Sequence, residues 1–254
     1  MQFELELALN STAAIAAASY PLLRVMKVAT LTEYTKADKP QSNVTLMIDW
    51  SMSSPESVPG LSGVCFFAGR DLHLSQPAAT RRPLGLIDSC LGGSYIESWM
   101  TGRALARCPG ANNTQTFPPA ETSALWYSKI WPLLPLSIRA VLWDQGESNI
   151  DLPDLYKCEL PVMLTDWREW WSSTARPKGP ASPLDSFPFV YRQLHAYPRG
   201  SLHGAMRLAM AEAEDAVPGM AYYTSFDIGN MTSPWGNIHF PDKQEAGRRA
   251  ALAM

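Results

Sequence analysis

Ala140-Val-Leu-Trp143-Asp144-Gln145-Gly146-Glu147-Ser148-Asn149 changes character at one residue. Through Trp143 every side chain is apolar, and from Asp144 onward every residue is polar or glycine. An apolar run this short reads as a strand buried on both faces, as strands of parallel sheets are. The polar stretch is then the loop leaving the strand's carboxyl end, where open α/β sheets carry their chemistry. Runs of the same kind fall at 23–31, 44–50, 84–88, 187–194 and 222–228. Helical patterns separate them at 61–74, 95–100, 152–171, 201–216 and 242–253, with Pro161 expected to break or kink the third. Segment 172–183, rich in Ser, Pro, Gly and Lys, reads as an exposed loop. Strands alternating with helices predict an α/β sandwich with a mainly parallel sheet, and a single domain over 1–254.

The bulk numbers agree with an enzyme-sized globular domain. The chain has 254 residues, 46% hydrophobic and 18% charged, with a formal net charge of −3. That apolar share excludes a disordered chain. The mild acidity, without a basic stripe, argues against nucleic acid as partner. No run reaches the ~18–20 apolar residues of a membrane span. The 9 Trp and 21 Pro fit a loop-rich enzyme with aromatic-lined clefts. Asn-x-Ser/Thr sequons at Asn10, Asn43, Asn112 and Asn230 point to a secreted or lysosomal glycoprotein. The opening Met1-Gln-Phe-Glu-Leu reads as the interior of a domain and carries no signal-peptide pattern. The four cysteines form no Cys-x-x-Cys, which argues against zinc. Cys108 and Cys158, in polar segments, are the better candidates for a bridge, whereas Cys65 reads equally as a buried thiol.

Three loops at strand ends hold the candidate chemistry. In 144–149, Gln145 and Asn149 offer amide donors suited to an oxyanion, and Gly146 allows close backbone approach. A plain polar turn into a helix cap explains that loop equally well. In 88–94, Gly92 and Gly93 precede a helix and point backbone N–H groups outward, as an anion site or simply a tight turn. In 227–241, His239 is the candidate general base, with Asp227 or Asp242 as the carboxylate that would orient it. His73 reads as structural, and His195 and His203 as solvent-facing or substrate-rim residues.

Together these loops resemble the sialate O-acetylesterase family, a branch of the SGNH (GDSL-like) hydrolases. The resemblance rests on Pro83-Leu-Gly-Leu-Ile-Asp-Ser-Cys-Leu-Gly-Gly-Ser-Tyr-Ile-Glu-Ser-Trp99 and Trp143-Asp-Gln-Gly-Glu-Ser-Asn149. Leu155-Tyr156, Asp166-Trp167-Arg168 and Ser233-Pro-Trp-Gly-Asn-Ile-His-Phe-Pro-Asp-Lys-Gln244 extend it over nearly the whole chain. It implies a three-layer α/β/α, flavodoxin-like fold and removal of O-acetyl groups from sugars, notably 9-O-acetyl sialic acid. The family's serine attacks the acetyl carbonyl. His239 would be base and then acid, Gly92, Gly93 and Gln145 would hold the oxyanion, and Glu147 and Asn149 would brace the loop or contact sugar. No metal or organic cofactor is implied; the partner is an O-acetylated sugar or glycan. Two alternatives stay open: a glycan-binding pseudoenzyme, and an acetylesterase of plant or algal polysaccharide.

The resemblance also carries departures. The family nucleophile lies in a Gly-Gln-Ser-Asn-Met-Gln block, and Met1-Gln2 looks like its last two residues. The nucleophile is therefore expected ahead of residue 1, and the polypeptide as written is expected to be nearly inactive. The substitute Gln41-Ser42-Asn43 lacks the leading glycine and lies downstream. A carboxylate three residues before the histidine is common among these hydrolases, and here that position is Gly236. The break-off in a helical pattern at Ala251-Leu-Ala-Met254 raises the question of incompleteness at the C-terminus as well.

Overall fold

The computed structural model describes residues 2–30, 35–111, 120–174, 186–197 and 202–254. Its elements run α1 (Ser11–Ala16), β1 (Tyr20–Val28), β2 (Leu46–Ser53), α2 (Gly63–Ser75), β3 (Leu84–Asp88) and α3 (Gly102–Leu105). Then come β4 (Val141–Trp143), α4 (Pro153–Thr174), β5 (Phe189–Gln193), α5 (Leu202–Glu214), β6 (Met220–Thr224) and α6 (Lys243–Ala253).

Side-chain alternation along the strands builds the layers. On β5, Phe189 and Tyr191 enter a core shared with Tyr156, Leu160, Met163 and Trp167 of α4 and Met206 and Met210 of α5. Val190 between them enters a second core with Val64 and Ala68 of α2 and Ala246 and Ala250 of α6. β4 divides in the same way, Trp143 toward α4 and Leu142 toward α2 and α6. The outcome is the expected α/β/α sandwich, with α4 and α5 on one face and α2 and α6 on the other. Helices α2 and α6 cross closely: a Cβ on Gly247 would lie 2.4 Å from Cβ of Phe67.

The sheet is two ladders of three strands. One has the order β2-β1-β3, the other β4-β5-β6. The pairs β1–β3, β4–β5 and β5–β6 are parallel. The edge strand β2 is antiparallel to β1, with Met47 and Met52 exposed. Among the described residues no strand pairs with the second edge of β3 or of β4.

Several local expectations are corrected. Helix α4 runs unbroken through Pro161, because Tyr156, Leu160, Met163, Leu164, Trp167 and Trp171 bury its flanking turns. Burial of that apolar area, at ~25 cal/mol per Å², outweighs the ~3 kcal/mol a proline costs inside a helix. Residues 172–174, read as loop, finish α4, and 175–183 lie outside the described residues. The 95–100 helix is a single 3-10 turn, Ile96–Trp99. Helix α1 had no periodic signal. The pair Cys108–Cys158 is disulfide-bonded with Cα atoms 5.9 Å apart, whereas Cys65 and Cys90 are free thiols. Burial raises both of those thiols, Cys65 to about 12.

Candidate functional site

A cavity of 1220 Å³ opens between the carboxyl ends of β3 and β4. Gly92 and Gly93 from the loop after β3, Gln145 and Glu147 from the loop after β4, and His239 all line it. Residues from three loops, far apart in sequence, therefore meet at one mouth. Asn149 sits behind the wall, 1% exposed, and Asp227 lies away from the cavity.

The β4 loop is fixed by a polar network. Gln145 Nε2 donates to the Ser94 carbonyl at 3.1 Å and to Asn149 Oδ1 at 2.7 Å, and its Oε1 accepts from the Tyr156 hydroxyl. Asn149 Oδ1 also accepts from Ile96 N, and its Nδ2 donates to Glu97 Oε2. Both amide protons of Gln145 are thus committed to the scaffold. Gln145, expected as an oxyanion donor, instead ties the two loops together, since a primary amide has only two donors. Gly146 follows at φ +137°, a backbone conformation that side-chain-bearing residues rarely adopt, so the turn favours glycine.

The Gly92 N–H points toward the cavity mouth and donates to the side-chain oxygen of Gln2 at 2.8 Å. Gln2 Nε2 in turn donates to Thr30 Oγ1. An amide oxygen thus stands where an anionic oxygen could be received.

His239 is positioned by its own loop. Gly236 at φ +86° reverses the chain, and His239 N donates back to its carbonyl at 2.9 Å. The imidazole Nδ1 lies 2.8 Å from the Trp235 carbonyl oxygen. A carbonyl only accepts, so Nδ1 carries the proton and Nε2 is left with its lone pair. Neither expected carboxylate serves the ring. Both oxygens of Asp227 are taken by Arg249, at 2.5 and 2.7 Å, and Asp242 caps α6 by accepting from Glu245 N. With no side chain at 236, the backbone carbonyl takes the orienting position.

Below the mouth lies a charge cluster that the sequence reading missed. Arg192, fully buried on β5, donates to Asp144 at 2.6 Å and to Glu147. Burial alone would raise both carboxyls, but the guanidinium outweighs it and holds them below the usual range. Lys243, over the Phe240 ring at 3.5 Å, is pulled down to about 7 by burial, against the pull of Asp144. His195 was read as a solvent-facing or substrate-rim residue. It is instead buried beside Arg192, which lies 3.3 Å from its Nδ1, and its Nε2 meets the Asn237 carbonyl. Burial and then Arg192 lower it to about 4, so it is neutral and structural. His203, also read as exposed, is buried against Tyr197. His73 is buried, as its helical position suggested. Ser42 is exposed and lies off the cavity.

Comparison with known proteins agrees with this architecture. A family model described as carbohydrate esterase, sialic acid-specific acetylesterase, matches residues 9–177. Sialate O-acetylesterases of Pongo abelii and Homo sapiens are 28% and 27% identical, each over 92% of this chain and 47% of their own length. The chain therefore spans about half the length of these relatives. The crystal structure of a carbohydrate acetylesterase from Xanthomonas citri superposes with a TM-score of 0.80 at 27% identity, covering 100% of this chain and 52% of that one. An Arabidopsis thaliana protein at 16% identity and TM-score 0.54 shares the fold. By the extent of the family match, the chain belongs to the carbohydrate esterase family of sialic acid-specific acetylesterases.

Proposed function

We propose that this chain carries the base and the cleft of a sugar O-acetylesterase acting on O-acetylated sialic acid. The observation that carries the reading is His239, its Nδ1 proton engaged by Trp235 and its ring lining the same cavity as Gly92 and Gly93. Family membership supplies the substrate class. Nε2 of His239 would take the proton of a serine hydroxyl as that oxygen attacks the acetyl carbonyl, then return it to the departing sugar oxygen. Water would hydrolyse the acetyl-serine by the same route, releasing acetate. The N–H groups of Gly92 and Gly93 would hold the oxyanion once Gln2 swings aside. Gln145, Asn149 and Glu147 would keep the loops in place. Residues 1–254 would act as one domain with no cofactor.

Among the described residues Ser233 Oγ donates to the backbone carbonyl of His239 at 2.6 Å and not to its ring, so the test supplies a serine. The test fuses an apolar strand ending in Gly-Gln-Ser-Asn ahead of Met1 and measures acetate release from 9-O-acetyl sialic acid and from acetylated xylan. Release from the sialate, lost by ~10²–10⁴-fold in His239→Ala, is expected. Release indifferent to His239→Ala overturns the assignment, and preference for xylan overturns the substrate.

The Cys108–Cys158 disulfide and the sequons at Asn10 and Asn43, both exposed, support a secreted or lysosomal glycoprotein. Among the described residues no helix is long and apolar enough to cross a membrane.

A further inference from the structure

His195, two residues past the end of β5, is fully buried and touches the loop of His239 at three points. Its Nε2 lies 3.2 Å from the Asn237 carbonyl oxygen, and its ring packs edge-on against Phe240 with centroids 4.8 Å apart. A Cβ on Gly229 would lie 3.2 Å from its Cδ2. A fourth contact fixes the proton. Arg192 Nη1 stands 3.3 Å from Nδ1, and a guanidinium only donates, so Nδ1 accepts and the ring hydrogen sits on Nε2. Nε2 therefore donates to the Asn237 carbonyl. The loop depends on such anchors, because two successive turns, 233–236 and 236–239, shape it and each is closed by one backbone hydrogen bond. Asn237 is the first central residue of the second turn, so the direction of its carbonyl sets the peptide plane that leads to His239.

We infer that His195 is a positioning residue for His239: its Nε2–H holds the Asn237 carbonyl and keeps the turn in the shape that brings the His239 ring to the Trp235 carbonyl. The far side of His195 is set as firmly. Arg192 also donates to Asp144 and Glu147, so one buried guanidinium joins the loop after β4 to the loop of His239 through the His195 ring. Phe240, directly after His239, is pinned in the same cluster, with Lys243 Nζ 3.5 Å from its centroid. The two histidines then carry opposite tautomers, Nε2–H in His195 and Nδ1–H in His239. This role rests on His239 being the base of the proposed reaction, yet it is read from geometry and needs no turnover to test.

The test reads the ring nitrogens of the 254-residue chain by NMR at neutral pH. The parent is expected to show His195 in the Nε2–H form and His239 in the Nδ1–H form. His195→Phe keeps a buried ring against Phe240 and removes the donor. In it the Nδ1–H to Nε2–H ratio of His239 is expected to fall about three- to tenfold, the yield of one net hydrogen bond. His195→Gln carries an N–H at about the reach of Nε2 and is expected to keep the parent ratio. Parent His195 in the Nδ1–H form overturns the inference without any variant. An unchanged His239 ratio in folded His195→Phe, or loss of the ratio in His195→Gln, overturns it as well. A His239 ratio that follows these variants as expected, in a strand-fused chain that releases no acetate, counts against the esterase reading alone.

Discussion

The Nδ1 of His239 lies 2.8 Å from the carbonyl oxygen of Trp235, four residues earlier in the same loop. Three residues before the histidine, where the resemblance led us to expect a carboxylate, this chain has Gly236 at φ +86°. A carbonyl dipole fixes the tautomer as a carboxylate would, but it stabilises the imidazolium less, because it carries no full charge. Nitrogen NMR of the ring in its neutral form is expected to show the proton on Nδ1. A dominant Nε2–H form would mean that the imidazole is not held by Trp235.

Asp227 makes the opposite prediction. Its carboxylate is engaged bidentately by Arg249 of α6, off the cavity. In the strand-fused chain, Asp227→Asn is expected to leave kcat/KM for the acetyl ester within about twofold. A loss as large as that of His239→Ala would return Asp227 to the histidine.

The difference between these two residues shows what a sequence can disclose. Strand positions were readable because continuous apolar runs such as 84–88 and 187–194 must be buried on both faces. The site loops were readable because they follow those runs. Partners were not. Gln145 carries the amide an oxyanion needs, yet Ser94 and Asn149 consume both of its protons, and nothing in linear spacing announces that. Nor could spacing place Arg192 between Asp144 and Glu147, since its neighbours on β5 read as core. Pro161 misled for a related reason: local propensity is overridden by six buried side chains on the same helix.

Arg192 donates to two carboxylates of little exposure, Asp144 and Glu147. Arg192→Met is expected to cost about 3–5 kcal/mol in urea unfolding at pH 7, as removal of one partner from a buried ion pair does. The pH dependence also changes sign. In the parent both carboxyls titrate below their unfolded values. Their contribution is complete above about pH 4.5 and is lost as acid protonates them. Without the guanidinium, burial raises them instead, and stability then falls as pH climbs toward neutral. An unchanged slope would show that Lys243 suffices to hold both charges.

Glu159 offers a stability test separate from the site. It is fully buried in α4, and neither carboxylate oxygen has a hydrogen-bond partner among the described residues. Burial, with Glu97 nearby, raises its carboxyl to about 8. The folded chain therefore holds a proton there that the unfolded chain releases near pH 4.5. A raised carboxyl binds more protons in the folded state, so its contribution is complete below about pH 4.5 and is lost as pH rises toward 8. Glu159→Gln has no proton to lose. Relative to the parent it is expected to gain on the order of 3 kcal/mol between pH 5 and pH 8 in urea midpoints taken at each pH. Parallel curves for the two proteins would mean that Glu159 is already ionised in the folded chain, with a cation or water reaching it inside the core.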